Sequence, residues 1–214
     1  MMEDVDRQVG QVLQALRQTG QQDNTLIVFT SDHGEGLASH RWTGKMMYYE
    51  EEAAVPLIVS FKGVTPTGWI DREHLVSALD VLPTICDYAG VKGPLAMRGR
   101  SLREITEKPQ QPGHEYVVSE MANGPARSFM LRTKRYKYMA FPGTGGKSQE
   151  MFFDLQTDPG EMKNLAGQTA FVAEIERHRK LLAEWNKLTE EDKHPIEPAP
   201  KGQRKKAQRK SSRK

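Results

Sequence analysis

The chain has 214 residues, of which 37% are hydrophobic and 28% are charged, and it contains one cysteine. A single cysteine excludes an intrachain disulfide, and no apolar run approaches the length of a membrane span. The net charge of +3 is uneven, because residues 201–214 hold eight Lys or Arg and no acid, leaving 23 basic and 28 acidic side chains elsewhere. We therefore expect a mildly acidic folded part and a disordered basic tail over residues 196–214.

An amphipathic helix is the first predicted element, from Asp4 to Thr19. Gly20 ends it, and its apolar residues recur at helical spacing: Val5, Val9, Val12, Leu13 and Leu16. Two short runs follow, Thr25–Thr30 and Val55–Phe61, and both are rich in β-branched residues and nearly free of charge. That composition is typical of buried strands in an α/β sheet.

A second helix is predicted over residues 77–88. Asp80 is the expected N-cap, since Pro83 is tolerated only near the first turn. The expected buried stripe of this helix consists of Leu79, Leu82, Ile85 and Cys86. The Pro- and Gly-rich composition of residues 92–113 then predicts a linker.

The remainder predicts a small antiparallel sheet. One helix over residues 171–188 is expected to pack on four short strand candidates with turn residues between them: Tyr116–Glu120, Ser128–Arg132, Tyr136–Phe141 and Met151–Leu155.

The candidate catalytic and metal-binding residues concentrate in the loop between the first two strands. Asp32 and His33 directly follow a strand, and ligands in open α/β sheets bind beyond the carboxyl ends of strands. A carboxylate beside an imidazole suits a divalent cation, and Gly34 allows a sharp turn behind them. Lys45 is a point charge suited to an oxyanion such as sulfate or phosphate. By spacing alone, an Asp–His pair that caps a turn explains the pattern equally well.

Four segments together resemble the sulfatase family of the alkaline-phosphatase-like superfamily, over about residues 2 to 190. They are DNTLIVFTSDHGE with the Lys45 that follows it, YYEEEAAVPLIV, MRGRSL and FFDLQTDPGEMKNLA. The resemblance implies an α/β fold with part of an alkaline-phosphatase-like core sheet, and a smaller subdomain of four antiparallel strands and a helix. We expect the core over residues 1–110, the subdomain over 111–195 and the tail over 196–214.

The resemblance also implies roles for individual residues. Asp32 and His33 look like ligands of a divalent cation, with Ca²⁺ favoured and Mg²⁺ or Mn²⁺ possible. Lys45 looks like the lysine that contacts the sulfate group, and His40 matches a histidine that faces the active-site pocket. Both are therefore candidate catalytic and substrate-binding residues. Arg98 is a further candidate for binding an anionic substrate, although a Gly-Arg turn in a linker is the simpler interpretation.

Two parts of the family's mechanism have no counterpart in this sequence. The family uses a formylglycine made from Cys or Ser, and a carboxylate pair at the end of an earlier strand. Cys86 lies outside any such motif, and a free cysteine is commonly a buried small hydrophobe. We therefore expect a C-terminal portion that is inactive alone and associates with an N-terminal half carrying formylglycine. Family members are commonly exported, so periplasm or extracellular space is the expectation for the intact protein.

Two other functions stay open on sequence grounds. Phosphoester and phosphonate hydrolases of the same superfamily share the metal pocket. A non-catalytic remnant that holds nucleic acid or a sulfated polyanion through the basic tail is the third hypothesis. The expected substrate under the favoured interpretation is a sulfated small molecule or glycan.

Overall fold

The computed structural model describes residues 2–94, 97–123, 126–143 and 148–191, so the predicted tail over residues 196–214 lies outside the described part of the chain. In those ranges, the helices are too short or too polar to cross a membrane.

The first part of the chain forms a two-stranded sheet and four helices. Strand β1 (Ile27–Thr30) pairs antiparallel with β2 (Leu57–Ser60), so that Ile27 lies opposite Ser60. The helices are α1 (Met2–Gln18), the short α2 (Glu50–Ala53), α3 (Val81–Tyr88) and α4 (Arg103–Glu107). The predicted first helix and both strands are present, and α4 lies inside the stretch that was predicted to be a linker.

The second part is a four-stranded antiparallel sheet with one long helix, as predicted. Strands β3 (Tyr116–Asn123), β4 (Ala126–Thr133), β5 (Tyr136–Phe141) and β6 (Gln149–Asp154) pair in chain order. Helix α5 runs from Val172 to Glu191. These elements confirm the α/β class and the antiparallel subdomain, while the domain boundary at residue 110 stays a prediction.

Both faces of the four-stranded sheet are covered, because side chains alternate between faces along each strand. On one face, Leu131, Tyr138 and Phe152 pack against Ile175 and Leu182 of α5. On the other face, a cluster holds Tyr48 together with residues from three strands, Met130, Met139 and Phe153. The sheet therefore lies between α5 and the chain around α2.

Two burial predictions for the first part were wrong. Ile58 of β2 is 54% exposed and Leu82 of α3 is 49% exposed, so neither the strand pair nor the predicted helical stripe is buried among the described residues. Helix α3 instead buries its opposite side. The buried Thr84 hydroxyl accepts a 2.8 Å hydrogen bond from the Leu102 backbone N–H, which turns the apolar stripe outward.

Asp80 occupies the predicted N-cap position of α3, but its side chain makes no capping hydrogen bond to that helix. Ser77 caps the 3₁₀ turn that precedes α3, in a capping box with Asp80. The fully buried Asp80 carboxylate accepts from the backbone N–H of Ser77 and of Arg100 at 2.8 Å, and lies 2.9 Å from His114 Nε2. Asp80 thus joins three chain segments.

A buried histidine in α5 makes stability depend on pH. His178 packs against Phe152, and burial lowers the pKa of its imidazole. Below the ordinary pKa of about 6.5, the unfolded chain binds a proton that the folded chain resists, so stability falls as pH drops from about 7.5 towards 5. Urea unfolding should show a smaller loss over this range for His178→Gln than for the parent. Identical losses in both proteins would contradict this.

Candidate active site

Asp32 and His33 lie immediately beyond β1, where the sequence predicts a ligand-binding site. The Asp32 carboxylate is 85% exposed, and its Oδ2 lies 3.5 Å from His33 Nε2. The His33 backbone N–H, which donates to Asp32 Oδ1 at 3.0 Å, lowers the pKa of this carboxyl, and the nearby imidazole adds to the effect. Asp32 is thus an ionised carboxylate open to solvent.

The tautomer of His33 follows from its other contact. Its Nδ1 lies 2.7 Å from the carbonyl oxygen of Gly34, and a carbonyl can only accept a hydrogen bond. Nδ1 therefore carries the proton in the neutral ring, and Nε2 presents a lone pair beside Asp32. A hydrogen bond of this kind on the far nitrogen is how proteins orient a metal-binding imidazole.

Lys45 returns to the same point although it lies twelve residues further along the chain than His33. Its Nζ is 3.1 Å from His33 Nε2, within hydrogen-bonding distance of the lone pair. The structure thus brings together Asp32, His33 and Lys45, the three residues for which the sequence predicts a shared site.

Gly34 is required for a different reason from the one expected. Its backbone is not left-handed, but a Cβ there would lie 1.9 Å from the carbonyl oxygen of Glu51 in α2. The backbone N–H groups of Gly34 and Glu35 donate to the carbonyl oxygens of Glu52 and Glu51, at 2.8 and 3.2 Å. Helix α2 therefore lies directly against the backbone that follows His33.

His40 makes its closest contacts away from that trio. Its ring stacks on Tyr49 with centroids 3.7 Å apart, and Nε2 lies 3.6 Å from a Glu51 oxygen. The stack lines an open cavity of about 430 Å³ together with Met151 and Glu161.

The backbone around His40 is strained. Four non-glycine residues in five positions have left-handed φ angles, namely Leu37, Ala38, His40 and Arg41. Residues held in this region cost on the order of 1–3 kcal/mol each, and such strain clusters at functional sites.

Arg98 lies at a different cavity, also of about 430 Å³, between the turn that precedes α3, strand β3 and helix α5. Its guanidinium stacks over the Trp185 ring, 5.3 Å from the centroid. Arg100 and His114 line the same cavity. The cleft around Arg98 therefore combines two arginines with the Trp185 ring, and the carboxylates of Asp80 and Glu115 line it as well.

Sequence analysis missed a buried ion cluster beside α2. Lys137 of β5 is 0% exposed, and its Nζ lies 2.5 Å from Glu50 Oε1 and 2.9 Å from Glu161 Oε1. Burial raises the pKa of Glu161, and the Lys137 charge opposes this. The available signal was a lone charge within the aromatic strand YKYMAF.

The Glu161 carboxylate also belongs to a group of side chains that could act as metal ligands. One ligand atom from each of His40, Glu51 and Glu161 lies within 4.8 Å of the others. The Glu161 carboxylate of this group is already paired with the Lys137 ammonium at 2.9 Å.

Comparisons with known proteins identify the family. The family model described as N-sulphoglucosamine sulphohydrolase, C-terminal, matches residues 38–189. The chain is 36% identical to the Delta 4,5-hexuronate-2-O-sulfatase of Bacteroides thetaiotaomicron, over an alignment covering 88% of this chain and 40% of that relative. It also resembles a protein solved in complex with its substrate D-glucosamine-2-N,6-O-disulfate, with a TM-score of 0.75, 28% identity, and coverage of 91% of this chain and 40% of that one.

A third similarity is to the phosphonate monoester hydrolase of Agrobacterium radiobacter, with a TM-score of 0.74, 28% identity, and coverage of 88% of this chain and 40% of that one. These relatives define the class as hydrolases of the alkaline-phosphatase-like superfamily.

Within that superfamily, the chain belongs to the sulfatase family and corresponds to its C-terminal portion. It spans 40% of the length of the hexuronate sulfatase and 40% of the protein bound to the disulfated glucosamine.

Proposed function

We propose that this chain is the C-terminal part of a sulfuric ester hydrolase, in which Asp32, His33 and Lys45 hold the cation and the sulfate group. The observation that carries the proposal is their convergence. Lys45 Nζ lies 3.1 Å from His33 Nε2, and that same nitrogen lies 3.5 Å from Asp32 Oδ2.

The donor set fits a divalent cation in part. Asp32 supplies an ionised oxygen and His33 an imidazole lone pair, which are ligand types that divalent cations accept. Ca²⁺ takes six to eight oxygens. Further ligands therefore have to come from the part of the sulfatase domain to which this chain does not align. We favour Ca²⁺, with Mg²⁺ and Mn²⁺ as alternatives. A bound cation would polarise the sulfate oxygens and lower the pKa of the nucleophile.

Lys45 is proposed to stabilise negative charge on the sulfate group. The Lys45 ammonium lies within hydrogen-bonding distance of the lone pair on His33 Nε2. A cation bound to His33 Nε2 would displace the ammonium from it and leave the ammonium available to the substrate. A charged donor aimed at the transferring group stabilises the transition state more than the ground state. His40, which lines the neighbouring cavity, is proposed to protonate the leaving alcohol.

The proposed substrate is a sulfated small molecule or glycan. Two relatives are named for such chemistry, a hexuronate 2-O-sulfatase and a protein bound to a disulfated glucosamine. The Arg98 guanidinium in its cleft is proposed to hold an anionic part of the substrate. The proposed nucleophile is a formylglycine in the part of the domain that this chain does not match.

We expect activity only when the part of the sulfatase domain to which this chain does not align is supplied. The 214-residue protein with an aryl sulfate and Ca²⁺ or Mg²⁺ should give background rates, because it holds two cation ligands and no formylglycine motif. A chimera should hydrolyse sulfate esters if residues 2–191 replace the matching part of the Bacteroides hexuronate sulfatase. Turnover by the 214-residue chain alone, if it is lost in Asp32→Ala, would contradict the expected background rates. A chimera that folds but does not hydrolyse sulfate esters would contradict the expected activity of the chimera.

Phosphonate or phosphoester hydrolysis is the second candidate, favoured by the similarity to the Agrobacterium phosphonate monoester hydrolase. The same chimera distinguishes the two when it is assayed with matched aryl sulfate, aryl phosphate and aryl phosphonate esters. A kcat/KM that is highest for the sulfate supports the sulfatase proposal, and one that is highest for either phosphorus ester supports this alternative.

A further inference from the structure

The segment that links Lys45 to α2 is held by the antiparallel sheet. The Lys137 ammonium donates to the backbone oxygen of Tyr48 at 2.9 Å and pairs with the Glu50 carboxylate. The Tyr48 hydroxyl donates to the backbone oxygen of Ser128 at 2.7 Å. Two strands, β4 and β5, therefore anchor residues only three to five positions beyond Lys45.

The turn after β6 adds a third anchor. Glu161 pairs with Lys137 and also accepts a 2.6 Å hydrogen bond from the Glu50 backbone N–H at the start of α2. Its backbone is left-handed, with φ of 51°, which directs this buried carboxylate under the helix. We call Tyr48, Glu50, Lys137 and Glu161 the Lys137 cluster.

The anchored segment in turn fixes both halves of the candidate site. Helix α2 accepts hydrogen bonds from the backbone N–H groups of Gly34 and Glu35, directly after His33. The same segment continues back to Lys45, and the Glu52 carboxylate accepts from the backbone N–H of Met47 at 2.9 Å. An unbroken path of contacts therefore runs from the sheet to His33 and to Lys45.

We infer that Lys137 is a positioning residue, through which the C-terminal sheet holds α2 so that Lys45 meets His33. The inference deepens the proposed function, since it concerns the same site. It does not depend on turnover, because the contacts that it explains are present in this chain.

Amide hydrogen exchange, resolved by residue with NMR, tests this role. Removing the ammonium in Lys137→Met leaves Glu161 without its paired cation and Glu50 with only the Arg132 guanidinium at 3.8 Å, and it removes the hydrogen bond to Tyr48, so α2 should detach from the sheet. Exchange at Gly34 and Glu35 should then become at least roughly tenfold faster while the core amide of Leu131 stays protected. The ring ¹⁵N shift of His33 should change in the same samples, since it reports the nearby Lys45 ammonium.

Arg135→Met is the matched control. Arg135 makes two hydrogen bonds to the buried Asp154 carboxylate in the same sheet, at 3.0 and 2.7 Å, away from α2. This variant should destabilise the sheet and leave exchange at Gly34 and Glu35 unchanged relative to Leu131. Equal effects of the two variants, or no acceleration in Lys137→Met, would overturn the inference and leave the cluster as a stabilising feature only.

A double variant keeps the test informative if Lys137→Met fails to fold. Lys137→Met/Glu161→Met replaces the buried pair with apolar side chains, an exchange that folded proteins often tolerate. It should retain protection at Leu131 and still show fast exchange at Gly34 and Glu35. Parent-like exchange at both amides would refute positioning by the cluster, whatever the outcome of the activity assays on the chimera.

Discussion

Alanine at Asp32 should abolish sulfate-ester hydrolysis by the chimera, whereas methionine at Lys45 should lower kcat roughly 10²- to 10³-fold and leave the cation in place. Asp32 is the exposed carboxylate of the trio, so its loss removes a cation ligand. Lys45 carries like charge to the cation, so its loss removes only charge stabilisation of the sulfate group. Steady-state kinetics combined with elemental analysis of the purified proteins separates the two effects.

Lys62→Met is the control for this pair. Lys62 is an exposed lysine close to the end of β2, and it pairs with Asp23 at 2.5 Å. Its removal changes the net charge as Lys45→Met does, and kcat should stay near the parent value. A Lys45→Met chimera with the parent kcat would show that Lys45 has no part in the chemistry, despite its position beside His33.

The second large effect concerns stability. Phe152→Ala in the 214-residue chain should lower the free energy of unfolding by about 3–5 kcal/mol. Phe152 of β6 is 0% exposed, packs against α5 and stacks on Tyr136 of β5 with ring centroids 5.1 Å apart. For a protein of this size, such a loss lowers Tm by roughly 6–20 °C. Thermal unfolding followed by circular dichroism measures it.

Leu82→Ala provides the comparison, because sequence periodicity predicts that Leu82 is buried. The structure leaves it 49% exposed, so its truncation should cost no more than about 0.5 kcal/mol in this chain. A loss as large as that of Phe152→Ala would mean that the apolar side of α3 is covered in solution.

That contrast marks what sequence patterns can and cannot predict for this chain. Local patterns predict the four strands and α5, because turn residues separate the short strand candidates and the sheet buries both faces with residues of this chain. The same reasoning fails for Leu82 and Ile58, since a pattern predicts an apolar face and does not say whether this chain contains the element that covers it.

In the candidate site, too, some contacts are predictable from the sequence and others are not. Asp32, His33 and Lys45 lie within one loop, so strand position and family resemblance suffice to predict that they converge. Lys137 and Glu161 contact that loop from residues about a hundred positions away, and no local pattern encodes such a contact. Glu161 lies in a segment that carries the family resemblance, and only the structure shows its carboxylate buried beneath α2.

The Lys137 cluster also has a consequence for protein synthesis. Glu50 and Glu161 are 111 residues apart, and translation at about 5–20 residues per second separates their appearance on the ribosome by roughly 6–22 s. For most of that interval the nascent segment Tyr48–Ala53 lacks the Lys137 ammonium and its anchoring strands, and it lacks the Glu161 carboxylate throughout. The loop that bears Lys45 therefore reaches its final arrangement only after the turn that follows β6 has been made.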